Sequence, residues 1–190
     1  MTTTSSTSTN DTLFRQVRDM IARDPGALAT LRRNVGRSFD ESPDSWPYVL
    51  MVTGRSRWRE PAAHLALGLF ALHHQSKTPG ALDKEGSTFG LATRRLRTSR
   101  GDSGASEQGI ERRFRSALAS ETIDALGVHL RGLVTLMRGA DVSLDYPRLY
   151  QDLSTWLLPE KLQRVSLRWA RDYYALDPDQ QSPAEQKEEP

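Results

Sequence analysis

Cysteine is absent from this chain, which excludes a disulfide framework, a thiolate metal site and a cysteine nucleophile. Lysine is scarce: of 26 basic residues, 4 are lysine and 22 arginine. No apolar run is long and unbroken enough to span a bilayer. No stretch of useful length alternates apolar and polar residues as a half-buried strand does. There is no Walker A sequence, no GxGxxG, no GxSxG and no HExxH. Four histidines are present, but His73 and His74 are adjacent and so occupy different helix faces, while His64 and His129 stand apart from them. None has metal-ligand spacing, and structural roles are expected. The carboxylate pairs Asp40-Glu41 and Glu188-Glu189 lie in polar, solvated segments. These absences together lead us to expect no enzyme, no cofactor and no metal. The segment MTTTSSTSTND lacks the basic n-region and apolar h-region of a signal peptide. A cytoplasmic location without membrane contact is therefore expected.

What the chain does have is helical periodicity. In DTLFRQVRDMIAR, residues Leu13, Val17, Met20 and Ile21 fall on one helix face. Asp24-Pro25 stops that helix and caps the next, which carries Leu28, Leu31 and Val35. WPYVLMV reads as a short helix. Pro61 opens AAHLALGLFALHH, apolar on nearly every face and so a central helix. Capping residues then recur: Ser87 or Thr88 before FGLATRRL, Ser106 before IERRF, and Ser120 before ETIDALGVHLRGLVTLMR. In the last of these, Ile123, Leu126, Leu130, Leu133, Val134 and Met137 form one stripe. LDYPRLYQDLSTWL and PEKLQRVSLRWARDYY follow, each with proline near its start. The expected fold is all-α: about nine helices in two small packed bundles, residues 12–103 and 104–176, joined near GDSGASEQ. Residues 1–11 and 177–190 are expected to be disordered on composition.

Charge divides unevenly. Residues 11–176 carry 25 basic and 19 acidic side chains, a net +6, whereas residues 177–190 carry a net −4. Within the body, seven arginines between positions 94 and 115 face only Asp102, Glu107 and Glu111. At about 100° per residue, Ile110, Phe114, Ala117 and Leu118 turn to the core, Arg112 and Arg115 to solvent, and Arg113 to the flank. The same wheel on FGLATRRL sends Phe89, Ala92 and Leu96 inward, Arg94 and Arg97 outward, and Arg95 to the flank. RSRWR, residues 55–59, places three arginines around one tryptophan. Codon usage in a G+C-rich genome favours arginine too, but it does not remove the acids. Unpaired like charge implies an anionic partner, and the planar guanidinium grips phosphate in a bidentate way that lysine cannot.

The ordered segments ALATLRRNVGRS, AHLALGLFALHH, GSTFGLATRRL, IERRFRSAL, HLRGLVTLMRG, LDYPRLYQDLSTWL and VSLRWARDYY resemble the CasB family, the small subunit of the type I-E CRISPR surveillance complex, Cascade. The resemblance implies a non-catalytic helical protein of two small bundles. It implies two copies head to tail in Cascade, so that the partners are other Cascade subunits, a second copy of the chain, the crRNA and the target DNA. It further implies help in holding the R-loop and its displaced single strand. Carried over position by position, nucleic-acid contact falls on Arg32 and Arg33 of the LRR pair and on Arg57 or Arg59 before the long apolar helix. It falls also on Arg94 and Arg97 after the GSTFG turn, Arg112 and Arg113 of the ERR pair, and Arg131 of HLR. Arg115 is added on helical geometry. Arg113 and Arg131 are also placed to pair within the protein.

Two other readings are open to the sequence. One is a helical scaffold whose basic faces dock on acidic protein surfaces. The other is a helix-turn-helix regulator using the helices at 88–98 and 109–118. The connection GDSGASEQ exceeds the usual 3–4-residue turn of that motif.

Overall fold

The computed structural model describes residues 4–75, 77, 81–99 and 104–175, with side-chain surroundings from residue 12 and, in the sixth helix, from residue 107. The acidic segment 177–190 and residues 100–103 of the expected join lie outside them. The described residues form nine α-helices and no strand: α1 (Thr4–Ala22), α2 (Pro25–Asn34), α3 (Trp46–Thr53), α4 (Glu60–His73), α5 (Phe89–Ser99), α6 (Gly104–Leu118), α7 (Ile123–Gly139), α8 (Tyr146–Trp156) and α9 (Pro159–Tyr174). Single 3-10 turns, Pro43–Ser45 and Arg57–Arg59, lead into α3 and α4.

Helix boundaries follow local chemistry. Asp24 caps α2, its Oδ1 accepting from the Gly26 and Ala27 amides at 2.8 and 3.1 Å, with Pro25 in the first turn. The Thr88 hydroxyl accepts from Leu91 N at 3.3 Å, so Thr88 is the cap of α5. Asp145 caps α8 through Arg148 N, and its other oxygen accepts from Gly86 N at 2.8 Å. That second bond ties the loop before α5 to the start of α8. Two expected caps are corrected. The residue capping α7 is Thr122, whose Oγ1 accepts from Ala125 N, while Ser120 bonds back to Ser116 O. Helix α6 starts at Gly104, so Ser106 lies inside it. At the other end of the chain, α1 starts at Thr4, which makes residues 4–11 helical backbone where disorder was expected.

The core is one continuous cluster built around α4, in which Ala62 through Ala71 are all buried. Helices α2, α3, α7 and α8 pack on it, and α1 lies against α3 and α8. In α1 the buried residues are Phe14, Val17 and Ile21, with Phe14 stacked on Tyr150 at 4.9 Å. Met20, expected inside, is 41% exposed, because the buried stripe is centred on Phe14 rather than Leu13. A second group forms where α5 packs on α9, α6 and α7. Helix α5 precedes the expected 103/104 boundary yet packs with this group: its main contacts are with α9, α6 and α7, and Phe89 lies against Phe114 and Trp169. Gly90 permits that contact: a Cβ there would lie 2.2 Å from the Trp169 carbonyl oxygen.

Buried polar groups fix the joints. Asp152 of α8 accepts from Trp169 Nε1 at 2.7 Å and from Arg168 at 2.5 Å, and Arg148 lies 3.1 Å away. Burial outweighs these donors and raises the Asp152 pKa above the usual carboxylate value. Arg18 of α1 pairs with Asp83, which also accepts from Tyr146 N.

Three of the four histidines are buried, and they predict acid sensitivity. His64 is held between Ser45 Oγ (3.0 Å) and the Arg37 carbonyl (3.2 Å), and His74 Nδ1 lies 3.0 Å from Phe70 O. Neither ring nitrogen of His73 has a hydrogen-bond partner among the described residues. Burial pushes all three pKa values down, and that of His73 falls to about 3. A histidine held neutral in the fold but free to protonate when unfolded contributes stability that is complete above its unfolded pKa of ~6.5. That contribution is lost as pH falls toward the folded value, here between about 6.5 and 3 for His73. The unfolding free energy from urea titration should therefore fall between pH 7 and 5.5, by up to ~1.4 kcal/mol per pH unit for each such histidine, and the urea midpoint with it. His73→Leu should flatten this slope; an unchanged slope would show that His73 is not one of the titrating groups.

Candidate nucleic-acid interface

The structure sorts the candidate arginines by what they touch. Helix α6 buries Ile110, Phe114 and Ala117 against the second group. The wheel then leaves Arg112 and Arg115 exposed, and neither makes a hydrogen bond or ion pair with any described residue. They line an open groove with Gln108, Glu111, Ser116 and Ala119. Arg113 is also exposed, and its side chain lies across Gly132 of α7, where a Cβ would stand 3.2 Å from its Cδ and Nε.

Helix α5 differs from the wheel. Arg94 and Arg97, expected to point outward, are half-buried, whereas Arg95 is exposed and donates to Ser87 Oγ at 3.2 Å. The cause is α9, whose last turn lies along this side of α5. Arg94 Nη1 donates to the Ala175 carbonyl at 2.8 Å, and the Arg97 guanidinium sits 5.0 Å above the Tyr173 ring. A helix wheel drawn on one helix carries no information about which neighbour covers its polar side.

Helix α9 therefore brings the α5 and α6 arginines to one place. Tyr173 is buried and stacked on Phe114 at 4.2 Å. Its neighbour Tyr174 is 49% exposed, at right angles to Tyr173 with centroids 4.7 Å apart, and donates from its hydroxyl to Glu111 Oε1 at 3.3 Å. Burial, and then the negative charge of Glu111, hold the Tyr174 hydroxyl above its ordinary pKa, against the pull of Arg115 and Arg97. The hydroxyl thus stays neutral and adds no negative charge to the arginine groove.

The remaining candidates lie elsewhere. Arg32 and Arg33 occupy the last turn of α2, where cations complement the negative helix end. Arg33 donates to Thr30 Oγ1 at 3.3 Å. Arg131 reaches that helix end from α7, its Nη1 3.4 Å from the Val35 carbonyl. Gly36, at φ 98°, leaves room for it, since a Cβ there would sit 2.9 Å from the same nitrogen. Arg131 thus ties α7 to α2. Arg57 is exposed. Arg59 folds inward, 4.7 Å above the ring of Trp58, and its charge bears on buried Tyr150. Sequence reasoning missed Arg171, exposed one turn before Tyr174 on α9. It also missed the exposed apolar side of α3, formed by Trp46, Leu50 and Met51.

No group of three or more histidines, aspartates or glutamates among the described residues is arranged to hold a metal ion, and no helix there is long and apolar enough to cross a membrane. What the fold presents is an all-α protein in which Arg112 and Arg115 share an exposed groove and Arg115 and Arg97 act on an exposed tyrosine. The chain belongs to the Cse2 family: the description "CRISPR-associated protein Cse2 (CRISPR_cse2)" matches residues 27–174. Solved structures agree. CasB from Thermobifida fusca is similar at 28% identity with a TM-score of 0.70, covering 89% of this chain and 97% of that one. CasB from Thermus thermophilus is similar at 25% identity and TM-score 0.67, covering 87% and 98%. CasB from M. ruber is similar at 25% identity and TM-score 0.64, covering 87% and 92%. No curated protein matches the chain.

Proposed function

We propose that the chain is a non-catalytic small subunit of a type I-E Cascade complex, present in two copies. In this role it holds the crRNA–target DNA assembly and steadies the displaced strand of the R-loop without reading sequence. The observation that carries the reading is that Arg112 and Arg115 of α6 are exposed, bonded to no described residue and share one groove, while Arg115 and Arg97 both act on the exposed Tyr174, in a chain of the Cse2 family. Guide pairing supplies sequence recognition in such complexes, so protein contacts to the strands need only address the backbone. Exposed guanidinium groups suit that task, since they bind phosphate oxygens in a fork and release condensed counterions. Arg57, Arg113 and the α2 pair Arg32 and Arg33 serve as secondary contacts. Arg59, Arg94 and Arg131 act mainly by holding the fold in shape. Trp46, Leu50 and Met51 on α3 offer an apolar surface of the kind that neighbouring subunits cover.

The test is to purify the complex through this subunit and determine its mass and RNA content. A crRNA-containing assembly with two copies of the chain is expected. A protein-only assembly that survives nuclease and high salt, with no shift of free nucleic acid, would replace this reading with that of a protein-docking scaffold. If about four arginines per copy meet single-stranded phosphates, log K against log salt should have a slope near −6 for two copies, at ~0.7 per phosphate.

A further inference from the structure

We infer that Tyr174 is a base-stacking platform for single-stranded nucleic acid at the α5–α6–α9 junction, with a nucleobase as the ligand of its exposed ring and phosphates as ligands of the arginines around it. This rests on the nucleic-acid reading above and adds a contact to bases where that reading needs only the backbone.

The inference starts from a side chain that the fold leaves out. Helix α9 buries Val165, Trp169 and Tyr173 on one stripe. Tyr174 follows Tyr173 by one residue, about 100° further round the helix, and so leaves the stripe. An exposed aromatic on a helix end is free to rotate unless something fixes it. Here two contacts do. The hydroxyl bonds to Glu111 of α6, and the ring stands at right angles to Tyr173, which is itself clamped between Phe114 and the Arg97 guanidinium. The ring is thereby held in place on a residue that is 49% exposed. Arg97 and Arg115 both act electrostatically on it, and Arg171 is its i−3 neighbour on α9.

An open aromatic ring bordered by cations is the arrangement by which single strands are bound without sequence preference: bases stack on the ring while the backbone follows the charge. The hydroxyl of Tyr174 is already engaged by Glu111, so its pairing with a base edge is not required. Stacking accepts any base, in keeping with a strand whose sequence is set elsewhere. The ring also gives direction to the site, because a stacked base fixes which phosphates on either side reach Arg112, Arg115 and Arg171.

The experiment uses the full chain and two oligonucleotides of equal length and phosphate number, one of thymidines and one with abasic sites throughout. Wild type should bind the thymidine strand roughly fivefold or more tightly, with equal salt slopes for the two. Tyr174→Ala should abolish the difference by weakening only the thymidine strand, leaving the salt slope and abasic affinity in place. Tyr174→Phe, which keeps the ring and loses only the Glu111 bond, should retain most of the preference. Equal binding of both strands by wild type, with a steep salt slope, would overturn the stacking role and leave the phosphate-binding reading intact. No salt-dependent binding of either strand would overturn both. Loss of the preference in Tyr174→Phe to the same extent as in Tyr174→Ala would also overturn it, because an aromatic ring at this position would then not be enough to bind a base.

Discussion

Replacing Arg112 and Arg115 together with alanine will weaken single-strand binding by about tenfold for each arginine, taking ~1.5 kcal/mol for a hydrogen bond to a charged group. It will also reduce the salt slope by ~1.4 per copy of the chain, at ~0.7 per phosphate contact. The two readouts test different things. Lost affinity alone follows from many kinds of damage, but a lower slope means that fewer counterions are released and therefore that phosphate contacts are gone. Folding should be unaffected, since both side chains are exposed and bonded to no described residue, and such surface changes fall within about ±0.5 kcal/mol. Arg131→Ala supplies the contrast. Its guanidinium bonds the Val35 carbonyl between α7 and α2, so its removal should lower thermal stability and leave the slope unchanged. If the Arg112 and Arg115 double variant kept its slope while Arg131→Ala lost it, the binding face would be at the end of α2 instead of on α6.

That contrast shows how far a single sequence reached. The α6 face was legible because Ile110, Phe114 and Ala117 repeat at helical spacing, which sets Arg112 and Arg115 outward without knowledge of any neighbour. The α7 stripe and the central α4 were legible for the same reason: local periodicity determines which face is apolar. What was not legible depends on contacts far apart in sequence. Arg94 and Arg97 were placed in solvent, yet α9 covers them. Arg131 was placed to pair within the protein, but its partner, a carbonyl 96 residues earlier, could not be named from the sequence. The end of the first group was set at the polar stretch after α5, whereas α5 packs on a helix that ends 75 residues beyond it. Tyr174 could have been found from its offset to the Val165–Trp169–Tyr173 stripe, a signal present in VSLRWARDYY.

The second large effect concerns the contact that makes the junction possible. Gly90→Ala will destabilise the protein by about 3 kcal/mol or more, the upper end of the range for overpacking a well-packed site. In isolation the same change favours a helix by up to ~1 kcal/mol, so the sign depends on surroundings. A Cβ at position 90 would lie 2.2 Å from the Trp169 carbonyl oxygen, 3.0 Å from its carbonyl carbon and 2.8 Å from Asp172 Cβ. Two of these are backbone atoms of α9 that no rotamer change can move. Relief requires α5 and α9 to separate, which strains the Thr88–Asp172 hydrogen bond (2.6 Å) and the Phe89–Trp169 contact (4.8 Å) together. For a chain of this size the expected fall in Tm is roughly 6–12 °C, at about 2–4 °C per kcal/mol. Gly109→Ala on α6 is the matched control, because nothing lies within 4 Å of a Cβ there, and it should hold or slightly raise Tm. Equal melting temperatures for the two variants would contradict the close approach of α5 to α9. If the expected difference is found, the separation of the helices has a functional consequence as well. The Arg97–Tyr173 contact spans that same junction, so Gly90→Ala protein that is still folded at low temperature should bind single strands less tightly than the Gly109→Ala control.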